Sequence, residues 1–362
     1  MKRVPLDKYC EKKIETLQKN YIGLIDYIDI SAVDNEEKRI ISYQTIDSKD
    51  APSRAKQLIK KNDILVSTVR PNLNAVAVIE NETDNLMVAS TGYCVLRCKD
   101  DADVRYMFNF CQSPYFIEDM TTQATGASYP AVSTSIVKSS LIPYYSIEEQ
   151  HEIAKKIDAV SNLIALRKQQ LSKLDELVKS RFIEMFGDYR FNNKGFECKK
   201  GSELFKFSSG KFLPEEKRLE NGIPVYGGNG IAWYTEEALI DFSTIIIGRV
   251  GAQCGNIHMV TTPVWITDNS IYIKEQKTKA YTLEFLTELM RMMDFYQYAD
   301  FSGQPKITQK PLEALEYIMP PIELQREYTA FVEQTDKSKF EIQKSLEKLE
   351  TLKKALMQKY FG

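Results

Sequence analysis

The sequence predicts an α+β fold in which two mixed α/β domains are joined by two long helices that form an antiparallel coiled coil, with a pseudo-twofold internal repeat. Three observations predict it. Residues 147–187 match residues 322–362 at a displacement of 175 positions, both stretches carry a narrow apolar seam, and similar orders of strands and helices precede them. We therefore expect one domain at 1–146, a helix at 147–187, a second domain at 188–321 and a helix at 322–362.

Strands in the first domain are indicated by short apolar runs with polar turns between them, at 63–67, 75–79 and 92–96. An aromatic-rich stretch at 104–110 predicts a helix, and a polar glycine loop follows at 125–133. The domain is therefore expected to mix strands with short helices.

The helix at 147–187 is indicated by apolar residues at spacings of three and four, with charged residues on the remaining faces. Glutamates crowd its first turn, and Gly187 follows its last turn, where a left-handed cap is expected. The same features recur at 322–362, which ends with Gly362. About forty residues give a rod of about 60 Å. Either coiled-coil oligomerisation or a pair within the chain would cover the seam, and two matched copies favour the intramolecular pair.

The second domain repeats the order of elements of the first. Strands are predicted at 243–248, 255–260 and 269–273, a helix at 283–290 and a polar glycine loop at 302–308. The two domains are otherwise divergent in sequence, whereas the two helices are alike.

Composition argues against several classes of protein. Lys and Arg number 48 against 50 Asp and Glu, so the net charge is −2 and no basic excess indicates nucleic acid. Six cysteines without Cys-x-x-Cys spacing predict reduced thiols in a cytoplasmic protein. Because His151 and His258 are the only histidines, we expect no zinc site. No apolar run approaches the length of a membrane span, so we expect no membrane partner.

The usual sequence motifs for cofactor binding and catalysis are also missing. The sequence contains neither a Gly-x-x-x-x-Gly-Lys-Ser/Thr phosphate loop nor a Gly-x-Gly-x-x-Gly motif after a strand. Its double proline, Pro320-Pro321, stands in Met-Pro-Pro-Ile at a helix start, unlike the motif of amino-methylating enzymes. Carboxylates next to lysines at Glu11 and Glu215 lie in highly charged stretches typical of a solvated surface. We therefore expect no cofactor, no metal and no catalytic residue.

Two turns carry side chains suited to reading DNA bases. Arg70-Pro71-Asn72 follows a strand in the first domain, and Arg249 to Gln253 are assigned to the same place in the second. Arginine can bind guanine through two hydrogen bonds, and asparagine or glutamine can bind adenine. A polar turn with an arginine salt bridge is the plainer explanation of each, but the recurrence in two domains favours recognition. The candidate DNA-binding residues are Arg70, Asn72, Ser128, Tyr129, Asn229, Arg249, Gln253, Gln304 and Lys306.

Further features bear on the strength of DNA binding. Tyr226-Gly227-Gly228-Asn229-Gly230 is predicted to be a loop whose glycines let the backbone approach a surface closely. Neither domain has a basic excess, which argues against strong binding by the chain alone, because phosphate contacts dominate affinity. The main local exception is a basic cluster at Lys49, Arg54, Lys56, Lys60 and Lys61.

Taken in order, these segments resemble the specificity (S) subunit of type I restriction-modification systems. The resemblance covers the whole chain and rests on 63–72, 125–133, 223–230, and 303–308 leading to 320–325. It implies two target-recognition domains that read the two halves of a bipartite double-stranded DNA sequence. The helix pair would be their spacer and the docking surface for two modification (methyltransferase) subunits. S-adenosylmethionine, ATP and the cleavage machinery of the restriction subunits would belong to the partners, so this chain would be non-catalytic.

Two alternatives from other classes remain at this point. The chain could be a coiled-coil scaffold whose domains bind protein, or a nuclease or methyltransferase with an unrecognised site.

Overall fold

Residues 2–362 are described by a computed structural model, in which the chain forms two compact units. The first unit comprises the chain up to Lys168 together with Lys344–Gly362, and the second comprises Gln169–Gln343. Each unit therefore contains one mixed domain and one half of each long helix. No helix within residues 2–362 has the length and apolar character needed to cross a bilayer.

The first unit is built from small sheets. The strands are β1 Arg3–Pro5, β2 Leu24–Ile28, β3 Val33–Asp34, β4 Arg39–Ile40, β5 Gln44–Asp47, β6 Ala55–Leu58, β7 Ile64–Ser67, β8 Val76–Val78, β9 Leu86–Ser90, β10 Tyr93–Leu96 and β11 Leu141–Pro143. A four-stranded sheet has the order β5-β2-β9-β6, a three-stranded sheet has the order β10-β7-β8, and two further pairs are β3-β4 and β1-β11. Its short helices are α1 Val104–Cys111, α2 Pro114–Gln123 and α3 Thr134–Ser139.

The first long helix, α4, spans Ile147–Phe186, and the second unit continues from it. The strands of the second unit are β12 Glu197–Lys200, β13 Phe205–Ser209, β14 Ile223–Gly227, β15 Gly230–Thr235, β16 Thr244–Gly248, β17 Ile257–Val260, β18 Trp265–Ile266, β19 Ser270–Gln276 and β20 Glu316–Met319. The second unit thus has a four-stranded sheet in the order β13-β19-β16-β17, a three-stranded sheet in the order β15-β14-β18, and the pair β12-β20. Its helices are α5 Gly201–Leu204, α6 Leu283–Met292, α7 Gln309–Ala314 and the long helix α8, Ile322–Phe361.

The two long helices run antiparallel within each unit. In the second unit, Asp175 of α4 forms an ion pair with Lys339 of α8, and Arg181 of α4 hydrogen-bonds Glu327 of α8. The numbering therefore rises along one helix as it falls along the other. In the first unit, residues from the start of α4 share one core with Met357 and Phe361 from the end of α8. The predicted antiparallel pair within the chain is thus confirmed in both units.

Each unit buries the aromatic end of one long helix in its mixed domain. Phe361 at the end of α8 packs 5.4 Å from Tyr106 of α1, measured between ring centroids. At the end of α4, Phe186 packs 4.7 Å from Phe285 of α6 in the same way. Because such aromatic pairs contribute about 0.5–1.5 kcal/mol beyond the area they bury, each contact helps to attach the helix to its domain.

A buried glutamine near the start of each long helix makes a second attachment. The Gln150 side chain accepts a hydrogen bond from the Asp103 N–H (3.0 Å) and donates to the carbonyls of Asp101 and Tyr145. Gln325, the matching residue of α8, accepts from the Thr282 N–H and donates to the carbonyls of Ala280 and Pro320. Both glutamines are fully buried, so their amides satisfy backbone groups that water does not reach.

The helix boundaries follow from their caps. Ser146 and Glu149 form a capping box, since the Ser146 N–H donates to the Glu149 carboxylate and the Glu149 N–H donates to the Ser146 hydroxyl. The helix α8 instead begins directly after Pro320-Pro321. Gly187 adopts the left-handed conformation expected of a cap, with φ of 75°.

The strands and helices predicted around the apolar runs are confirmed, with ends that differ by up to three residues. The sheets of β2, β5, β6 and β9, and of β14, β15 and β18, were not predicted. The segment Tyr226–Gly230, expected as a loop, belongs largely to β14 and β15, because Gly227 pairs with Gly230 and only Gly228 and Asn229 form the turn. The prediction of a loop was wrong because glycine is favoured in the tight turn of a β-hairpin as well as in loops. The glycines alone did not distinguish the two.

Candidate nucleic-acid interface

In the first unit, three loops are joined through backbone hydrogen bonds at one end of strand β7. The Thr68 N–H donates to the Gly92 carbonyl (2.9 Å), and the Val132 N–H donates to the Thr68 carbonyl (2.9 Å). The Arg70 N–H donates to the Pro130 carbonyl (2.7 Å). We call these three bonds the loop frame, which connects the β7–β8 connection, the turn before β10 and the glycine loop.

The second unit contains the same loop frame. The Arg249 N–H donates to the Asn269 carbonyl, the Ile307 N–H donates to the Arg249 carbonyl, and the Gly251 N–H donates to the Pro305 carbonyl, each at 2.9 Å. The three loops therefore meet in the same way in both units, although their side chains differ.

Strand register fixes which residues correspond. Val66 pairs with Val76 in the first hairpin and Ile247 with Ile257 in the second, so the two connections have equal length. The residue equivalent to Arg249 is therefore Thr68, and the equivalents of Arg70 and Asn72 are Gly251 and Gln253. The assignment of Arg70 and Arg249 to the same place was thus wrong by two positions. The two arginines were matched because they are the same type of residue, although strand pairing places them at different positions of the connection.

The glycine loops correspond as well. Ser133 precedes α3 and Thr308 precedes α7, and each loop folds back on itself through one isolated bridge, Thr125 with Ala131 and Asp300 with Lys306. Counting back from these helices pairs Tyr129 with Gln304. By the same count Ser128 corresponds to Gly303, and Lys306 to Ala131.

Arg70 and Tyr129 lie against each other on the surface of the first unit. The guanidinium carbon of Arg70 is 4.6 Å from the centre of the Tyr129 ring, which is a cation–π contact. Tyr129 is 68% exposed, and Arg70, Asn72 and Ser128 are exposed too. The structure therefore brings these four predicted residues together on one exposed loop cluster.

The predicted residues of the second unit also converge. Lys306 pairs with Val250 next to Arg249, and Gln304 lies beside Gly251, where a Cβ would stand 3.2 Å from its side-chain nitrogen. The side-chain oxygen Oε1 of Gln253 accepts a hydrogen bond from the side-chain nitrogen Nδ2 of Asn256 (2.6 Å), which orients the Gln253 side chain. Asn229, at the turn after β14, is exposed. Its neighbour Gly228 lies against Gly248 and Gln253, so the Asn229 turn adjoins the other loops.

Three residues that were not among the predicted site residues lie beside the loop clusters of the two units. The Arg54 carbonyl accepts a hydrogen bond from the Thr91 N–H, which places Arg54 beside the turn that carries Gly92. Arg54 belongs to the basic cluster of residues 49–61, but no feature of the sequence indicates that it lies beside this turn. Tyr296 and Phe301 are 41% and 55% exposed and pack edge to face at 5.2 Å, next to the second glycine loop. The sequence signal that could have found them is a pair of aromatic residues just before the polar glycine loop.

Two half-buried titratable side chains contact residues of the loops or turns. The Lys38 ammonium donates to the backbone and side-chain oxygens of Asn74, and Asn74 in turn donates to the Cys111 carbonyl. Burial, assisted by the charge of Lys353, lowers the pKa of Lys38 to about 8. In the second unit, burial lowers the pKa of His258, which packs close to Gly230. Lys38 thus holds the β7–β8 connection through Asn74, and His258 packs against the β14–β15 turn; both side chains are half-buried.

The long helices present matching apolar side chains to solvent. Leu177 of α4 is 48% exposed and Leu352 of α8 is 46% exposed, and the two are equivalent in the repeat. Leu177 belongs to the second unit and Leu352 to the first. Each unit therefore carries one equivalent exposed leucine on its helical part.

Within residues 2–362, no group of three or more His, Cys, Asp or Glu side chains is arranged to hold a metal ion. The thiols of Cys10, Cys94 and Cys98 have raised pKa values because they are buried, and all six cysteines are unpaired by disulfides. The side chains of the interface can donate and accept hydrogen bonds and stack on flat groups.

Comparison with known proteins agrees with this architecture. The type I restriction modification DNA specificity domain matches twice, over residues 7–176 and 193–354. The chain is 25% identical over 303 residues to the EcoprrI specificity subunit of Escherichia coli, covering 77% of this chain and 72% of that protein. It is 26% identical over 289 residues to a putative type I specificity subunit of Mycoplasma genitalium, covering 74% of each.

Two solved structures share the fold. The S subunit of a type I restriction-modification system from M. genitalium has a TM-score of 0.67 and 20% identity, covering 100% of this chain and 96% of that chain. A chain from a structural study of complex assembly and conformational transition in the type I R-M system has a TM-score of 0.61 and 24% identity, covering 99% and 97%. With two family domains spanning most of its length, the chain belongs to the DNA specificity family of type I restriction-modification systems.

Proposed function

We propose that this chain recognises DNA for a type I restriction-modification complex and performs no bond chemistry itself. Each unit reads one half of a bipartite double-stranded target through its loop cluster. The observation that carries the proposal is the loop frame, which is built twice from identical backbone hydrogen bonds and presents different side chains each time. Two copies with divergent side chains suit two half-sites of unlike sequence.

The nine candidate residues are proposed as the DNA-contacting set of these two surfaces. Arg70, Asn72, Ser128 and Tyr129 serve the first half-site, within a recognition domain at 1–146. A recognition domain at 188–321 serves the second half-site, through Asn229, Arg249, Gln253, Gln304 and Lys306. Side chains of these types recognise base edges and phosphates, as Arg, Asn, Gln and Lys do in protein–DNA interfaces.

The partners in this proposal are double-stranded DNA and two modification subunits, with restriction subunits joining through the complex. Support for two equivalent docking sites comes from Leu177 and Leu352, which expose the same position of the helix repeat once in each unit. A net charge of −2 leaves few cations for phosphate neutralisation, so the modification subunits supply much of the affinity for DNA.

Exchange of one domain tests this function. Residues 188–321 are replaced by the matching domain of a relative with a different target, and the hybrid is purified with its modification subunits. Sequencing of methylated sites should show one half-site changed and the other retained. A folded hybrid that alters both halves, or methylation and cleavage by the chain without partners, would contradict the proposal and favour the enzyme alternative.

A further inference from the structure

Arg70 occupies a backbone conformation that does not suit it. Its φ and ψ are 49° and 60°, in the left-handed region, and Pro71 follows it. Side chains with a Cβ are disfavoured there, and a following proline disfavours helical conformations further. The equivalent residue of the second unit is Gly251, with φ of 84°, for which this conformation is unstrained. The first unit thus holds an arginine where its own repeat has glycine.

The Arg70 side chain is held in place yet has no polar partner in the part of the chain that the structure describes. Its guanidinium lies over the ring of Tyr129, and within residues 2–362 it forms no ion pair and donates no hydrogen bond. Other arginines of the same unit differ. Arg97 binds Asp63 and Arg105 binds Asp158, each through two nitrogens. The donors of Arg70 are therefore available to a ligand.

A residue with strained backbone torsion angles is retained where it serves a function, because a mutation to glycine would readily remove the strain. Packing against Tyr129 limits the conformations of the Arg70 side chain and so reduces the entropy lost on binding. A planar, oriented pair of donors matches the O6 and N7 acceptors of guanine in the major groove. A phosphate contact alone would not require such orientation, since phosphate can be neutralised from many directions.

We propose that Arg70, presented by its left-handed backbone and by Tyr129, reads a guanine in the half-site of the first unit. The second unit has no counterpart to this contact, because Gly251 lacks a side chain and Gln304 replaces the tyrosine. Arg70 is thus a specificity-determining residue and Tyr129 a positioning residue. This inference rests on the proposed function and assigns one base within it.

Arg70→Gly is the informative variant, because it makes the loop like that of the second unit and removes strain. The complete complex with modification subunits is incubated with randomised duplex DNA, and bound sequences are determined. We expect the preference for guanine at one position of one half-site to fall about 5- to 150-fold, the range for one bidentate contact. The other half-site should be unchanged, and the melting temperature should be retained or raised. Arg70→Lys should keep the charge and lose part of the preference, because an ammonium group lacks the planar pair of donors and stacks less well on Tyr129.

Arg54→Ala is the matched control, since Arg54 is an exposed arginine beside the same loops. It should weaken binding to all sequences similarly and leave the selected motif intact. A gain-of-function pair, Gly251→Arg with Gln304→Tyr, should add a guanine preference to the other half-site. Gly251 has a φ of 84°, so the added arginine would carry the same kind of backbone strain as Arg70, and the near neighbour of its Cβ is the Gln304 side chain that the second change replaces.

The outcomes distinguish failure of the proposed function from failure of the inference about Arg70. If the wild-type complex selects no bipartite sequence, the proposed function and this inference both fail. If the wild type selects one and the folded Arg70→Gly complex selects the same one, the proposed function stands and the inference is overturned. Uniformly weaker binding with an unchanged motif also overturns it, because Arg70 would then contact phosphate.

Discussion

Replacing Gln325 by glutamate should make the stability of the second unit depend on pH. The Gln325 amide nitrogen donates to the carbonyls of Ala280 (2.9 Å) and Pro320 (2.8 Å), and its oxygen accepts from the Thr282 N–H (2.9 Å). In Gln325→Glu, one carboxylate oxygen can still accept from Thr282. The other has no proton for the two carbonyls, and it lies in a site with no exposed surface.

The expected loss follows from the groups left unpaired. Two buried carbonyls without donors cost about 1–3 kcal/mol each, so the ionised variant should lose at least about 2 kcal/mol. For a unit of this size, about 2–4 °C per kcal/mol predicts a fall of at least about 4–8 °C in melting temperature. Burial and the facing carbonyls raise the pKa of the introduced carboxyl group when folded. The folded variant therefore binds more protons than the unfolded chain, and its stability falls as pH rises above about 4.3.

Thermal unfolding of the whole chain at pH 5 and pH 8 measures this effect. The deficit of Gln325→Glu relative to wild type should be larger at pH 8. Gln334→Glu, at an exposed position of α8, is the control and should show no comparable difference. Gln150→Glu should reproduce the effect in the first unit. A Gln325→Glu deficit that is equal at both pH values, or absent, would refute the view that this amide satisfies buried backbone groups.

Three further predictions concern binding and charge. The isolated chain should bind DNA weakly, and its complex with modification subunits should show the steeper dependence of log affinity on log salt concentration. Titrations at several salt concentrations measure this dependence. Tight, sequence-specific binding by the chain alone would contradict the prediction. Deleting one heptad from each long helix should shorten each by about 10 Å and reduce the unread gap by about three base pairs, read from methylated sites; an unchanged gap would exclude the helices as spacer. The free energy of unfolding of the wild type should rise between pH 8 and pH 10 relative to that of Lys38→Met. Burial holds the pKa of Lys38 near 8 in the folded chain, so the unfolded chain binds more protons over this range. Parallel profiles of stability against pH would contradict the prediction.

The long helices and the central strands could be predicted because their signals are local and strong. A seam of apolar residues at spacings of three and four identifies α4 and α8, and runs such as Ile245-Ile246-Ile247 identify a buried strand. The exposed edge strand β5, Gln44–Asp47, carries polar and apolar residues without a clear period, so its sheet was missed. Edge strands are half solvated, and their sequences are less constrained by packing.

Site residues were harder to predict because their arrangement depends on register. All nine candidates lie on the loop clusters or beside them, yet the equivalence of Arg70 with Gly251 emerged only from strand pairing and backbone hydrogen bonds. Residue chemistry alone matched Arg70 with Arg249, since nothing in the sequence reports a left-handed backbone. The position of Arg54 was not predicted for a related reason. Its proximity to Gly92 depends on the pairing between β6 and β9.

The loop frame uses only main-chain donors and acceptors, and this bears on how such a protein can evolve. Every amino acid supplies a carbonyl, and all except proline supply an N–H, so the exposed side chains of the three loops can change without removing any of the bonds that hold the loops together. Thr68 and Arg249 occupy the same frame position with unrelated side chains. New combinations of surface residues can therefore be sampled in one unit at little risk to folding, while the other unit continues to recognise its old sequence.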